Sequence, residues 1–392
     1  MAVYIRKKAN EDEKKKIFSD PARNIQILKQ KLGDSMDVVI REFRLGNGQQ
    51  AVAVYIDNLV SKEILGRDFF APLMNAKKSG DWLLGEISQQ VLKMGEIKEL
   101  TSMEQLIAAI LQGMTGLMIA GENAALIVEA VSWPQRSINE PATDVVIRGP
   151  REGFIESIRA NVALLRRKIH HPDLQIEELM LGKYSQTTIG IIYVSSIVNR
   201  NVLRELKRRL KRIDIDGILD SGYIEQLIQD TPFSLFPTIG ITEKPDIAAA
   251  RILEGRVAVL IDGSPIALTV PMFFAEGLQS SEDYFTRFYY ASWIRMIRVL
   301  AFLINIWLPG LFVAVVTWHQ QIIPVRLFLS MAAAEANTPF AVGLAMLLIL
   351  VAYEVLREAG VRLPKPAGQA ISIVGAIIMG DAAISAGLIS AP

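Results

Sequence analysis

The chain has 392 residues, with 42 Lys plus Arg against 41 Asp plus Glu and a formal net charge of +1. That length accommodates two or three domains, and the near-neutral balance leaves no electrostatic footprint for nucleic acid. There is no cysteine, which excludes disulfides, thiolate metal sites and cysteine nucleophiles.

Residues 1–22 include the basic run Arg6–Lys16 and read as a disordered charged arm. They lack the apolar core of a signal peptide, so the domain that follows is expected on the cytoplasmic side. A first α/β subdomain is placed at 23–138. It opens on a helix over Asn24–Leu32, followed by strands Asp37–Phe43 and Ala51–Ile56 joined through Gly46-Asn47-Gly48. Helices are expected around Asp81–Lys93 and Ser102–Gly113. Strands Thr115–Ala120 and Ala124–Val131 then flank the turn Gly121-Glu122-Asn123.

A second α/β subdomain is placed at 139–275, opening at Asp144-Val145-Val146-Ile147-Arg148-Gly149. Ile155, Ile158, Val162 and Leu165 recur at a period near 3.6 and predict a helix over Phe154–Ile169. Leu174–Leu181 and Thr187–Ile197 form a hairpin across Gly182-Lys183-Tyr184. The basic stretch Arg204–Arg212 has Leu203, Leu206 and Leu210 at helical spacing. A solvated helix face is its ordinary reading, and contact with anionic lipid headgroups the sharper one. A helix at Asp220–Gln229 follows, then strands Thr238–Glu243, Arg256–Ile261 and Ile266–Val270. The helix Asp246–Leu253 separates the first two of these strands, and Asp262-Gly263 turns the last hairpin. Strands alternating with helices point to α/β layering.

Near Tyr290 the chain changes solvent. Residues 276–295 read as a juxtamembrane connector and 296–392 as a transmembrane region of about three spans, 299–318, 339–356 and 370–391. Val299–Trp318 carries no charge over the roughly 20 residues that a bilayer crossing needs. Pro309-Gly310 is expected to break its backbone ladder. Arg287, Arg295 and Arg298 place its N-terminal end inside, and Arg357, Arg362 and Lys365 do the same for the end of the second span. The intervening 319–339 faces outward and contains a helical stretch, Val325–Ala336. The fold class expected is thus an α/β cytoplasmic region of two subdomains followed by a helical transmembrane region.

Asn305 lies in the first span, Glu354 closes the second and Asp381 sits in the middle of the third. Polar and ionisable groups at membrane depth face protein or water, so these three are candidate pore or polar-interface positions. For Glu354 a place at the cytoplasmic interface beside Arg357 is the alternative. Asp214-Ile215-Asp216-Gly217 resembles the start of an aspartyl phosphotransferase motif, but a charged helix precedes it where a buried strand is required. It also lacks the closing Glu of a calcium loop. His170 and His171 are adjacent in a loop and lack metal-site spacing, and His319 reads as interfacial. No Gly-rich phosphate loop or serine elbow appears. No catalytic residue, metal or cofactor is expected, and no ligand-binding residue stands out.

Several blocks together carry a family resemblance. They are Asn139–Phe154, Gly182–Thr188, Ile215–Ile228, Ser234–Thr238, Gly255–Pro265, Phe274–Tyr284 and Leu356–Pro366. In order and spacing they resemble the A subunit of bacterial spore germinant receptors, the GerA-type family. The resemblance implies a multi-pass subunit of the spore inner membrane with its N-terminal domain in the cytoplasm. It implies as partners a nutrient-binding B subunit, a lipoprotein C subunit, further copies of the chain and membrane lipid. It implies no enzyme chemistry. Nutrient sensing would be coupled to release of monovalent cations and to germination, through an oligomeric ion channel. A transporter or scaffold subunit is the runner-up, and a membrane-anchored phosphohydrolase the third reading. The family is expected to continue beyond the third span, so the transmembrane region reads as truncated at Pro392.

Overall fold

A computed structural model describes residues 16–130, 149–336, 338–361 and 381. The chain divides into two compact units, Met1–Arg287 and Phe288–Pro392.

The first unit holds two five-stranded sheets. Its first half runs α1 (Pro21–Leu32), β1 (Val38–Arg44) and β2 (Gln50–Ile56). Then comes α2, formed by contiguous pieces Lys62–Ile64, Leu65–Phe70 and Ala71–Asn75, and α3, formed by Leu84–Glu86 and Ile87–Val91. β3 (Ile97–Leu100), α4 (Met103–Leu111), β4 (Thr115–Ile119) and β5 (Ala125–Val128) complete it. The second half runs α5 (Ile158–Lys168), β6 (Leu174–Leu181), β7 (Thr187–Val194), α6 (Arg200–Leu210) and α7 (Ser221–Ile228). β8 (Gly240–Thr242), α8 (Pro245–Leu253), β9 (Val257–Ile261) and β10 (Ala267–Val270) close it.

The strand orders are β1-β2-β4-β5-β3 and β6-β7-β9-β10-β8, one topology used twice. Every pairing is antiparallel. Each sheet is covered by helices on both faces. In the first, Val52, Val54 and Ile56 pack with α1 and α4, while Ala51, Ala53 and Tyr55 pack with α2 and α3. In the second, Ile176, Ile192 and Leu260 pack with α5 and α8, and Ile191, Val259 and Ile261 with α6 and α7. Burial on both faces explains why these central strands read as unbroken apolar runs rather than as alternating ones.

The repetition extends to single hydrogen bonds. In α1, Asn24 Nδ2 donates to Phe18 O at 2.7 Å and Asn24 Oδ1 accepts from Phe18 N at 2.9 Å. In α5, Asn161 does the same with Ile155, at 2.5 and 2.8 Å. Both asparagines are buried. Gly121 N donates to Ser19 O and Gly263 N to Glu156 O, both from glycines at positive φ. Each leading helix is thereby stapled to the turn of its own central hairpin.

The two halves meet at a buried polar junction. Arg166 of α5 donates from Nε and Nη2 to the two carboxylate oxygens of Asp37, each at 2.8 Å. Its Nη2 also reaches Ser35 Oγ at 3.2 Å, and its Nη1 reaches Leu174 O at 3.2 Å. Ser35 Oγ donates to Asp37 at 2.6 Å and accepts from Ile176 N. Arg166 is 1% exposed and Asp37 2%. Gly33 is required beside this junction. Its φ is +68°, and a Cβ there would lie 2.1 Å from Gln175 Oε1.

Some expectations need correction. Residues 16–22 are not part of a disordered arm. Ile17 is buried in the first core, and Asp20 caps α1 by accepting from Ala22 N. α2 and β3 are not evident in the sequence. The helix expected over Phe154–Ile169 starts at Ile158, because residues 154–156 first run against the second sheet, with Phe154 N bonded to Glu243 O. The opening of the second subdomain at Asp144, and most of the block at 139–154, lie outside the described residues.

The second unit contains α9 (Phe288–Trp318), α10 (Val325–Glu335) and α11 (Val342–Val361). Among the described residues α9 is the one helix long and apolar enough to cross a membrane. It starts at Phe288, inside the expected connector, since nothing in residues 288–295 breaks a helix. It also runs through Pro309 without interruption. Proline there removes one donor while the flanking ladder holds, as apolar helices tolerate. The expected span 339–356 corresponds to α11, whose last turns carry Glu354, Arg357 and Glu358. The span 370–391 lies outside the described residues apart from Asp381.

The repeated asparagine staple predicts a matched pair of effects. Asn24→Ala and Asn161→Ala each strand a buried N–H and C=O, costing about 1–3 kcal/mol each. Urea unfolding of the purified chain should show both losses at similar size.

The N-cap of α7 predicts a pH effect. Asp220 accepts from Ser264 Oγ at 2.5 Å and from Gly222 N. The Ser264 hydrogen bond comes first among the causes that hold its carboxyl below the usual range. A lowered pKa stabilises the folded chain above the unfolded carboxyl value, about 4, and that gain is lost as pH falls through the folded value. The stability advantage of the parent over Asp220→Asn should therefore be full at neutral pH and shrink in the acid range.

Candidate functional site

The three expected polar positions are each exposed. Asn305 is exposed on α9. Glu354 is exposed on α11 and pairs with Arg357 one turn on. Asp381 is helical and exposed. The Asp214 motif lies in an exposed loop after α6, its side chain 74% exposed and paired with Lys183 at 2.8 Å. That is not the buried strand end that an aspartyl nucleophile requires. His171 is also exposed. Its Nδ1 accepts from Asp173 N and its carbonyl from Arg166. Among the described residues no cluster of His, Asp or Glu is arranged to hold a metal.

The structure does bring three of the distinctive blocks together at one corner of the second sheet. Lys183 N and Tyr184 N, in the β6–β7 turn, donate to Ile215 O and Asp216 O. Ser185 Oγ accepts from Ile218 N at 3.0 Å, and Thr187 Oγ1 donates to Ile218 O at 2.7 Å. Ser264, in the β9–β10 turn, holds Asp220. The residues at 214–220 therefore work as a structural corner.

A second constellation lies where the chain leaves the sheet. After β10, two short 3-10 turns, Phe274–Leu278 and Ser281–Tyr284, lead toward α9. Glu276 anchors the first. Its Oε1 accepts from Arg256 Nη1 at 2.5 Å and from Phe273 N at 2.6 Å, and its Oε2 lies 3.4 Å from Arg251 Nε. Arg251 also donates to Thr269 Oγ1 of β10, and Arg256 to Pro271 O. All three side chains are at most 16% exposed. At low exposure such charge-assisted bonds resist screening. Beside the clamp is a cavity of about 350 Å³, lined by Asp246, Ile247, Arg251, Glu276, Tyr284 and Phe285 among others.

This clamp contains no nucleophile or general base in a reactive arrangement. Its chemistry is that of a latch, which fixes the exit segment to α8 and β10. Sequence reasoning missed it. Arg256 and Glu276 fall inside two of the distinctive blocks, but they stand twenty residues apart and only the sheet brings them together.

The basic helix α6 buries Leu206 and Leu210 and exposes Arg204 and Arg208. Glu205 accepts from Arg208 and Arg209, which lower its carboxyl to about 2. Arg209 reaches over to α7, donating to Ile228 O and pairing with Asp230 at 2.6 Å.

Comparison with known proteins agrees with these blocks. The family model described as Bacillus/Clostridium GerA spore germination protein matches residues 26–392. Spore germination protein KA of Bacillus subtilis (strain 168) is 41% identical over 372 residues, covering 94% of this chain and 68% of that protein. Spore germination protein B1 of the same organism is 37% identical over 377 residues, covering 96% of this chain and 78% of that protein. The crystal structure of the N-terminal domain of the A subunit of the Bacillus megaterium spore germinant receptor GerK3 is similar, with a TM-score of 0.52 and 33% identity. It covers 66% of this chain and 97% of that domain. The match runs through both the sheet-bearing unit and the apolar one, and the chain belongs to the GerA family of spore germination proteins.

Proposed function

We propose that this chain is the A subunit of a nutrient germinant receptor in the spore inner membrane. In this reading it crosses the membrane more than once, with α9 as the first span and the sheet-bearing unit in the cytoplasm. It works with B and C subunits and with further copies of itself, and it couples nutrient sensing to release of monovalent cations through an oligomeric channel. Asn305, Glu354 and Asp381 are then the polar positions facing neighbouring helices or water, because lipid exposure of polar and ionisable side chains is costly. No bond chemistry is required of any residue. A ligand drives such an assembly by binding one of its states better than another.

The observation that carries the coupling is the Glu276 clamp. A signal between a soluble domain and a membrane helix needs a stiff connection. Here the chain is pinned to the sheet by Arg251 and Arg256, and α9 begins twelve residues after Glu276.

Glu276→Gln keeps the side-chain shape and removes the charge that both guanidinium groups face. In spores relying on this receptor alone, the variant should accumulate like the parent. Its nutrient-triggered release of monovalent cations, followed by ion-selective electrode, should be slowed by about tenfold or more, the scale of one charged hydrogen bond of 1.5–3 kcal/mol. Parental release at equal protein level would overturn the coupling role.

A further inference from the structure

The loop between α7 and β8 presents Phe233, fully exposed, and Leu235, 94% exposed. It is a built turn. Ser234 N donates to Thr231 O, Ser234 Oγ donates to Phe236 O at 2.7 Å, and Phe236 N donates back to Ser234 Oγ at 3.1 Å. This ring of bonds around Ser234 holds the flanking Phe233 and Leu235 outward. The base of the turn is pinned as well. Thr238 O accepts from Met272 N, Phe236 packs edge-on against Phe274 at 4.9 Å, and Arg209 pairs with Asp230. Phe273 and Phe274, each at least half exposed, extend the apolar surface.

The helix tied to the base of this knob is basic, although Asp230 at the contact is acidic. Arg209 ties the knob's base to α6, whose outer residues Arg204 and Arg208 are exposed, as are Lys211 and Arg212 just after it. An apolar projection whose base is tied to a basic helix suits insertion at a lipid interface, where apolar side chains enter the headgroup boundary and basic ones meet anionic lipid. A protein partner would instead favour a broad patch of about 800 Å² per side with charge depleted at its centre. The chain supplies proximity. Phe288 stands fourteen residues after Phe274, a reach of at most about 50 Å fully extended.

We propose that the second subdomain docks on an anionic phospholipid surface, with Phe233 and Leu235 inserted and the basic face of α6 on the headgroups. The proposal rests on the reading of α9 as a membrane span, and the test separates the two. The chain has no native cysteine, so single cysteines carry an environment-sensitive fluorophore cleanly. Full-length Phe233→Cys, Leu303→Cys and Leu83→Cys would be reconstituted into vesicles of phosphatidylcholine with phosphatidylglycerol, and into phosphatidylcholine alone. Leu303 lies in α9, and Leu83 is an exposed position in the first subdomain.

The expected result is quenching of the Phe233 label by lipid spin-labelled near the headgroup, deep quenching at Leu303 and none at Leu83. Loss of most of the Phe233 quenching without phosphatidylglycerol, or at high salt, is also expected. A quenched Leu303 label with Phe233 in water overturns docking and leaves the membrane reading intact. If neither is quenched, both fall. A blue-shifted Phe233 label that spin-labelled lipid does not quench assigns the knob to a protein contact and overturns the proposal. Equal quenching in phosphatidylcholine alone overturns anionic headgroups as the ligand.

Discussion

The Arg166–Asp37 pair is the constraint on which the sheet-bearing unit depends. Two opposite charges lie almost fully out of water, and the cost of dehydrating them is met only because every neighbour helps. Asp37 accepts two guanidinium bonds and one from Ser35, while the remaining guanidinium nitrogen finds main-chain carbonyls at His171 and Leu174. Deleting one partner of such a pair leaves a buried charge alone and typically costs about 3–5 kcal/mol. The residues that meet here come from the leading strand loop of one half and the leading helix of the other. The pair therefore fixes how two copies of one topology are joined. Hydrogen bonds from Met36 N to Ile176 O and from Gln175 Nε2 to Leu32 O reinforce the seam, and Arg159 pairs with Asp57 nearer the surface.

The two copies have diverged in what they bury and what they expose. In the first, the helices α2 and α3 after the leading hairpin bury Leu65, Phe69, Leu84 and Ile87 against the sheet. In the second, the equivalent helices α6 and α7 carry the basic face and lead into the apolar knob. The second copy also ends in the Glu276 clamp and continues toward α9. In the proposed reading, the features suited to meeting a membrane or passing on a signal thus belong to the copy that precedes the apolar unit in sequence. The first copy is joined to the second at the Arg166 seam.

Much of the fold was legible because its strands are buried on both faces. Runs such as Ala51–Ile56 and Val257–Ile261 have no polar interruption and stand between turn residues, so length and composition identified them. α2 was not legible, since Gly66 and Pro72 break its pattern and its middle piece is a π-helix. β3 is four residues with two exposed, too short to show alternation. Antiparallel pairing could not be read from the alternation of strands and helices, because that alternation suits parallel crossovers equally well. The junction was also invisible, as Asp37 and Arg166 are 129 residues apart and each reads locally as an ordinary surface charge. In the apolar unit the sequence identified α9 but misjudged its start and the effect of Pro309. The distinctive blocks signalled the family, but the corner around Asp220 and the Glu276 clamp emerge only when the sheet brings residues of separate blocks together.

Whether the seam makes the two copies one body is tested most directly by native-state hydrogen exchange of the full chain, read by mass spectrometry on β4 and β9. In the parent, the two strands should open in step, with the same free energy. With Arg166→Leu, protection should fall and the strands should separate, because each sheet then opens without the other. If Arg166→Leu leaves β4 and β9 exchanging together at parental protection, the buried pair is not what joins the halves.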